Sequence, residues 1–375
     1  MDNIYLDYNA TSPLDKEVLD TMLPYLTDNF ANAMSFHSFG QRAAQGLEQA
    51  RNQVATLVNC QPSEVIFTGG GTESNNSVIR GIARSRRSLG NHIITTQIEH
   101  PSIIKCCKEL ETEGFEITFL PVNSLGQINV DLLEKSITNK TILISVMHAN
   151  NEVGTIQPIT EIGEIARKKG VYFHTDTAQS VGKLPIDVQT MNIDMLTVAA
   201  HKFYGPKGIG ALVVCEGIEL TPYLLGAGHE GGRRAGTVNV AGAVGLGKAC
   251  EIAKTKGESI IAKVKAGRDR FHKIITDSLN NVSLNGHPTE RLPNTLNLSF
   301  RGCDGQKLLI ATDIAASLGA ACHTTSRQPS AVLTAMGVTA EDALGAIRFS
   351  FGKFTSDEQI IEAANRIIKT VGNNK

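Results

Sequence analysis

TVAAHKFYGPKGIG, residues 197–210, decides how the chain folds. A run of small and β-branched apolar residues stops abruptly at His201 and Lys202, and a Gly/Pro-rich turn follows at once. This pattern predicts a buried strand that delivers an ammonium group to the edge of a sheet. The next apolar run, GALVVC (210–215), begins as soon as the turn is complete.

The same punctuation recurs on either side. VIFTGGG (65–71), HIITTQIEH (92–100), ITFLPV (117–122), TILISVMHANN (141–151) and VYFHTD (171–176) are apolar runs that end in small or polar residues. With MLTVAAHK (195–202) and GALVVC they predict seven strands, and helix-period segments such as 131–137 and 161–169 lie between several of them. Several runs are continuously apolar rather than alternating, as strands covered by helices on both faces of a parallel sheet must be. The expected class is α/β with a mainly parallel seven-stranded sheet. After residue 250 the character changes: 251–279 reads as a long charged amphipathic helix, and LPNTLNLSFRG (292–302) opens a shorter α/β section. The expected organisation is a large domain at 15–255 and a smaller one made of 1–14 with 256–375.

Composition narrows the function. The 36 Lys and Arg residues nearly balance 37 Asp and Glu, so no basic field attracts nucleic acid or an acidic membrane, and any phosphate site must be local. No segment approaches the roughly 20 apolar residues of a membrane span, and MDNIYLDYNATSP lacks the pattern of a signal peptide. A soluble cytoplasmic protein is expected. The seven cysteines are scattered without zinc-type or thioredoxin-type spacing, which argues against disulfides and a structural metal.

In open α/β sheets, ligands bind outside the carboxyl ends of the strands, so the polar residues just past each run belong together. After VIFT, the glycines 69–71 permit close approach of backbone to ligand, and Thr72 opens a helix whose free amides suit a phosphate. The pattern is neither GxGxxG nor a P-loop, which excludes the usual dinucleotide and triphosphate readings. His100, Asn150, Asn151, Asp176 and Gln179 follow other runs, and Lys202 is the decisive member. An amine against apolar walls becomes available for Schiff-base chemistry. A lysine, an acid, a phosphate cup and a histidine are together what pyridoxal 5'-phosphate needs: Lys202 to bind it, Asp176 to keep its pyridine nitrogen protonated, Gly71 and Thr72 to cradle the phosphate, and His100 to stack on the ring. A degenerate, non-enzymatic scaffold of the same fold would tolerate loss of Lys202, Asp176 or His100, and all three are present.

LDYNATSP, FTGGGTESNN, EHPSI, HANNEVGTIQPI, HTDTAQSVGKLPID, HKFYGPKGIGAL, RRAGTVN, LPNTLNLSF, GAACHTTSRQPSAVLTAMG and IRFSFGKFT occur in this order almost from end to end. The series resembles the NifS/IscS-type cysteine desulfurases, class V aminotransferase-like enzymes of PLP fold type I. The resemblance implies a homodimer in which L-cysteine is converted to L-alanine and its sulfur passes to Cys322 as a persulfide. A protein sulfur acceptor, such as an iron–sulfur scaffold, would receive it. It further implies that Asn151 and Arg348 hold the substrate carboxylate and that Gln179 bonds the cofactor's phenolate oxygen. Thr72 and His201 would bind the phosphate, joined by Thr237 from the neighbouring subunit. Two positions depart from the family pattern: Ala199 stands where many relatives carry a phosphate-binding serine, and Gly231 where an arginine is usual. GAACH, with the serine missing before HK, is also similar to selenocysteine lyases, which release selenium and L-alanine from L-selenocysteine. The seven-residue spacing from Cys322 to Pro329 matches the shorter desulfurase loop and ranks the cysteine reading first.

Overall fold

The computed structural model describes residues 4–318 and 329–373. The chain begins with strand β1 (Ile4–Tyr5) and helices α1 (Lys16–Thr27) and α2 (Ser38–Val58). The seven apolar runs then form one sheet of β2 (Val65–Thr68), β3 (His92–Thr96), β4 (Glu116–Leu120), β5 (Thr141–Ser145), β6 (Tyr172–Asp176), β7 (Met195–Ala199) and β8 (Gly210–Val214). Their spatial order is β2-β8-β7-β6-β5-β3-β4. Neighbours from β4 to β7 pair in parallel, and only β8 runs against its neighbours β7 and β2.

Every residue of β2, β3, β5, β7 and β8 is buried, which is why these strands read as unbroken apolar runs. Alternate residues serve opposite layers. Ile66, Ile93, Leu143 and Leu212 pack against α3 (Gly71–Ser85) and α4 (Pro101–Thr112). Phe67, Ile94, Ile144 and Val213 face the layer of α2, α5 (Val130–Ser136) and α6 (Ile159–Lys169). The strands stop earlier than their apolar runs, β3 at Thr96 and β5 at Ser145, so His100 and Asn151 stand on the turns beyond.

The long helix starts earlier than its charged pattern predicts. Helix α7 runs unbroken from Val240 to Ser278, so the expected boundary at 255/256 falls inside a helix and not in a linker. Its first third is rich in glycine, a poor helix former. Packing compensates: α7 crosses α2 so closely that a Cβ on Gly247 would lie 2.6 Å from the Ala50 Cα. Leu246, Ala249 and Cys250 complete the core under the large sheet, while Val264, Phe271 and Ile275 enter a second core.

That second core lies on an antiparallel sheet of β9 (Val282–Asn285), β10 (Thr295–Phe300) and β12 (Ala346–Ser350), in the order β12-β10-β9. Helix α8 (Gly305–Thr312) leads into β11 (Ile314–Ala315), and two short helices, α9 (Ala331–Ala335) and α10 (Ala340–Leu344), precede β12. Helix α11 (Asp357–Asn373) closes the section. Strand β1 pairs with β11, and Ile4 and Leu6 are buried in this second core.

Candidate active site

The carboxyl ends of β2, β3, β5, β6 and β7 open on the same edge of the large sheet, and the residues collected from the sequence meet there. β7 gives way to a single 3-10 turn, Ala200–Lys202. The Lys202 Nζ donates to the main-chain oxygens of Asn9 (2.6 Å) and Ala10 (2.9 Å), so the amine is held by the LDYNATSP stretch. Asp176, at the end of β6, accepts from Asn75 Nδ2 at 2.7 Å and from the Ala178 amide at 2.9 Å. Both bonds fix the carboxylate without neutralising it.

His100 caps α4: its Nδ1 accepts from the Ser102 amide at 3.2 Å and lies 2.8 Å from Ser102 Oγ. In the neutral ring this leaves the proton on Nε2. Burial lowers the pKa of the ring and the charge of Lys202 adds to this, against the opposing pull of Asp176. Asn75 Nδ2 also donates to Ser102 Oγ at 2.9 Å, so His100, Ser102, Asn75 and Asp176 form one chain of hydrogen bonds. Ser102 and Asn75 went unassigned in the sequence, although both stand inside quoted stretches, two residues after His100 and one helical turn after Thr72.

The glycine turn forms a cradle. Gly70 has φ of +139°, and no side chain caps α3 behind it. A Cβ on Gly71 would reach ordinary contact, 3.6 to 4.0 Å, with Ala199, Thr197 and Ala178, so the floor here is made of small groups. Ala199 is buried at 3% exposure in that floor. Thr72 is exposed at the first turn of α3. His201 Nδ1 lies 3.2 Å from Thr11 Oγ1, and burial, with the charges of nearby lysines, pushes its ring down to about 4. Gln179 donates from Nε2 to the Asn9 oxygen at 3.0 Å and accepts from Lys183 Nζ at 3.2 Å.

Arg348, on β12, carries its guanidinium into the same space from the second sheet. It donates to the Asn151 oxygen (3.2 Å) and to Asp7 Oδ1 (2.7 Å), and its buried Nε has no hydrogen-bond partner. The Asn151 side-chain amide makes no hydrogen bond among the described residues. Thr237 is exposed and not hydrogen-bonded to this cluster. The segment leading into it is anchored twice, by a two-pronged Arg51–Glu230 pair (2.9 and 3.0 Å) and by Arg234 on Glu73 (2.9 Å). Gly231 falls between two other residues with positive φ, Glu230 and Gly232, where glycine is the favoured residue. His174, beside the cluster, is a buried structural residue between Ser145 Oγ and Thr197 Oγ1. Asn150 serves the turn, accepting from the Glu152 and Val153 amides.

Cys322 lies outside the described residues, but both flanks of 319–328 are placed. Ser317 exchanges two main-chain hydrogen bonds with Arg348 (3.1 and 2.7 Å), and Ser330 Oγ donates to the Glu152 carboxylate. The flanks therefore stand beside the two elements that carry Arg348 and Asn151. At the other six cysteines burial disfavours the thiolate. Burial pushes Cys60 and Cys215 up to about 12 and Cys106 up to about 11, and raises Cys107, Cys250 and Cys303 as well. No metal-binding group of His, Cys, Asp and Glu occurs among the described residues, and no helix there is long and apolar enough to cross a membrane.

A fold with a mainly parallel seven-stranded sheet, a lysine beyond one strand and an acid at the end of its neighbour defines a class of cofactor-dependent enzymes. The family model for aminotransferase class-V matches residues 4–362, and the chain belongs to that family. It is similar to cysteine desulfurase IscS of Dictyoglomus turgidum, with 44% identity over 372 residues that cover 98% of this chain and 94% of that protein. Among solved structures it is similar to a NifS-like protein, with a TM-score of 0.93 and 33% identity over 99% of this chain and all of that one. It is also similar to SspA in complex with cysteine, with a TM-score of 0.85 and 38% identity over 94% of this chain and all of that one.

Proposed function

We propose that the protein is a cysteine desulfurase that uses pyridoxal 5'-phosphate, converts L-cysteine to L-alanine and carries the sulfur away on Cys322. The observation that supports this most directly is Arg348: one strand presents a buried guanidinium with an unsatisfied Nε and, through its backbone, holds Ser317 at the start of the stretch bearing Cys322. A fork of N–H donors suits a substrate carboxylate, and the described flank that leads to the Cys322 stretch is bonded beside it.

The residues present fit the cofactor. The open amides of α3, Gly71, Thr72 and His201 would hold its phosphate, with Thr237 of a second copy completing the shell. Ala199 supplies no hydroxyl, and its methyl instead lines the cradle. Asp176 would hold the proton of the pyridine nitrogen, Gln179 would bond the phenolate oxygen, and His100 would cover the ring. When bound, the cofactor supplies the electron sink that makes loss of the substrate Cα proton feasible.

Lys202 Nζ is the group that takes this proton and returns it, and the Asn9 and Ala10 oxygens hold the amine whenever it is displaced by substrate. Asn151 and Arg348 would fix the substrate carboxylate beside the described flanks of the Cys322 stretch. The Cys322 thiolate forms a bond to the substrate sulfur as the Cβ–S bond breaks. The electron pair of that bond goes to Cβ, which takes a proton and becomes the methyl group of alanine. The sum is two thiols giving one persulfide and one C–H bond, with no outside oxidant. A protein acceptor would then remove the sulfur.

The purified protein is expected to be yellow, and borohydride is expected to fix the cofactor on Lys202. Lys202→Ala should be colourless after dialysis, whereas Cys322→Ala should keep the colour and lose persulfide formation from L-cysteine. A Cys322→Ala protein that desulfurates at the parent rate would refute the nucleophile. The relative alanine release from L-cysteine and L-selenocysteine decides the substrate; a preference of several orders of magnitude for selenium would reverse the reading.

A further inference from the structure

Lys183 has no part in the chemistry above, yet it stands among the residues that do. With Tyr8, Lys202, Tyr204, Asn294 and Phe351 it lines a small cavity behind the Lys202 turn. Its Nζ donates to Gln179 Oε1 at 3.2 Å, one helical turn back along the chain. The charges that act on it are those of Lys202 and Arg348, both positive; His201 feels its charge in turn, and Arg348 is itself paired with Asp7. Burial and these two cations push the ammonium down to about 7. A methionine would fill the same volume without that cost.

What the lysine does supply is direction. The two ends of a carboxamide are nearly equal in shape, but one accepts and the other donates. With Oε1 held by the Lys183 N–H donor, Gln179 must turn its NH2 the other way, and it does so toward the Asn9 oxygen at 3.0 Å. The same oxygen accepts from Lys202 Nζ. The donor end of Gln179 is thus aimed at the Lys202 side of the site and the acceptor end away from it.

We propose that Lys183 is a positioning residue that locks the Gln179 carboxamide in the orientation presenting its N–H donors to the cofactor's phenolate oxygen. The proposal rests on the pyridoxal phosphate reading given above. A donor at that oxygen stabilises its ionised form. Losing the donor therefore raises the pH at which the bound cofactor exchanges its two absorption bands.

The test is a spectroscopic pH titration of the substrate-free holoenzyme, with the parent, Lys183→Met, Lys183→Arg, Gln179→Leu and the Lys183→Met/Gln179→Leu double variant. Lys183→Met and Gln179→Leu should each move the band exchange up by about one pH unit, a tenfold change in the equilibrium. The double variant should move it no further than Gln179→Leu alone, because the lysine acts through the glutamine. Lys183→Arg, which keeps a cationic donor at this place, should hold the parent value, and it reports on the proposal even if the Met variant does not fold. An unmoved titration in Lys183→Met overturns the proposal. So does an additive shift in the double variant, which would mark a through-space charge effect, or an Arg variant that shifts as far as Met. A parent protein that binds no cofactor overturns the function reading and this proposal together, whereas a bound cofactor with an unmoved titration overturns this proposal alone.

Discussion

Glu99 shows how much a single side chain beside the site can shape the protein's response to pH. It is 5% exposed; Oε1 accepts from Thr96 Oγ1 and the Met147 amide, both at 2.9 Å, while the buried Oε2 has no partner. Burial, reinforced by the charge of Asp176, pushes its carboxyl up to about 8 against the usual 4.5. The folded protein therefore binds a proton here that the unfolded chain has already released, and stability falls as pH rises through that window. Glu99→Gln keeps the shape and removes the titration. Relative to the parent, the variant should gain on the order of 2 to 4 kcal/mol in urea unfolding between pH 5 and pH 8, and an unchanged difference at the two pH values would refute the assignment. At this scale the sequence was legible only in part. Lys202, Asp176 and His100 could be collected because each follows an apolar run. The Asn75–Ser102 link and the Lys183–Gln179 bond could not, because the first joins two helices through a fold not yet known and the second is a choice of rotamer.

Among the elements, α7 carries the clearest lesson. The charged half announced itself by its periodicity, and the first third, VAGAVGLGKAC, did not, because helical propensity argues against glycine. The reason for the glycines is the crossing with α2, and no local pattern encodes a neighbouring helix. A pair of substitutions separates the two effects. Gly247→Ala should destabilise by about 1 to 3 kcal/mol, since the new Cβ would meet the Ala50 backbone. Gly257→Ala, on the same helix with nothing within 4 Å of its Cβ, should stabilise by up to about 1 kcal/mol. Thermal unfolding of the two variants checks the signs, and a stabilised Gly247→Ala would show that the crossing tolerates a methyl group. The seven strands, by contrast, were all visible as runs: β2, β3, β5, β7 and β8 are buried along their whole length, and β4, at the edge of the sheet, still reads as a run although only Leu120 of it is fully buried. Their order in the sheet and the reversal of β8 required the structure.

At the level of the whole molecule, one face is more apolar than a lone subunit needs. Leu19, Leu23 and Leu26 form an outward stripe on α1, and Phe30, Met34, Phe36 and Phe39 follow, Phe36 at 92% exposure. The homodimer that the family resemblance implies would cover this face, because an apolar patch of this kind marks an interaction surface. Phe36→Asp should weaken association by ~30-fold, the effect of losing a central contact of about 2 kcal/mol. Light scattering over a dilution series measures this, and a dimer that dissociates at the parent concentration would exclude Phe36 from the contact. A different consequence comes from Asn9. Asn9, whose oxygen holds Lys202, is itself fixed by Ser350 Oγ on its amide (2.9 Å), by Thr295 Oγ1 (2.8 Å) and by Asn294 (2.9 Å). Asn9 thus finds its place only when it meets residues some 285 to 341 positions away in the chain. A chain with the entire large sheet complete still has no fixed seat for its lysine, so the amine is placed only once the second sheet has folded against the Asn9 stretch.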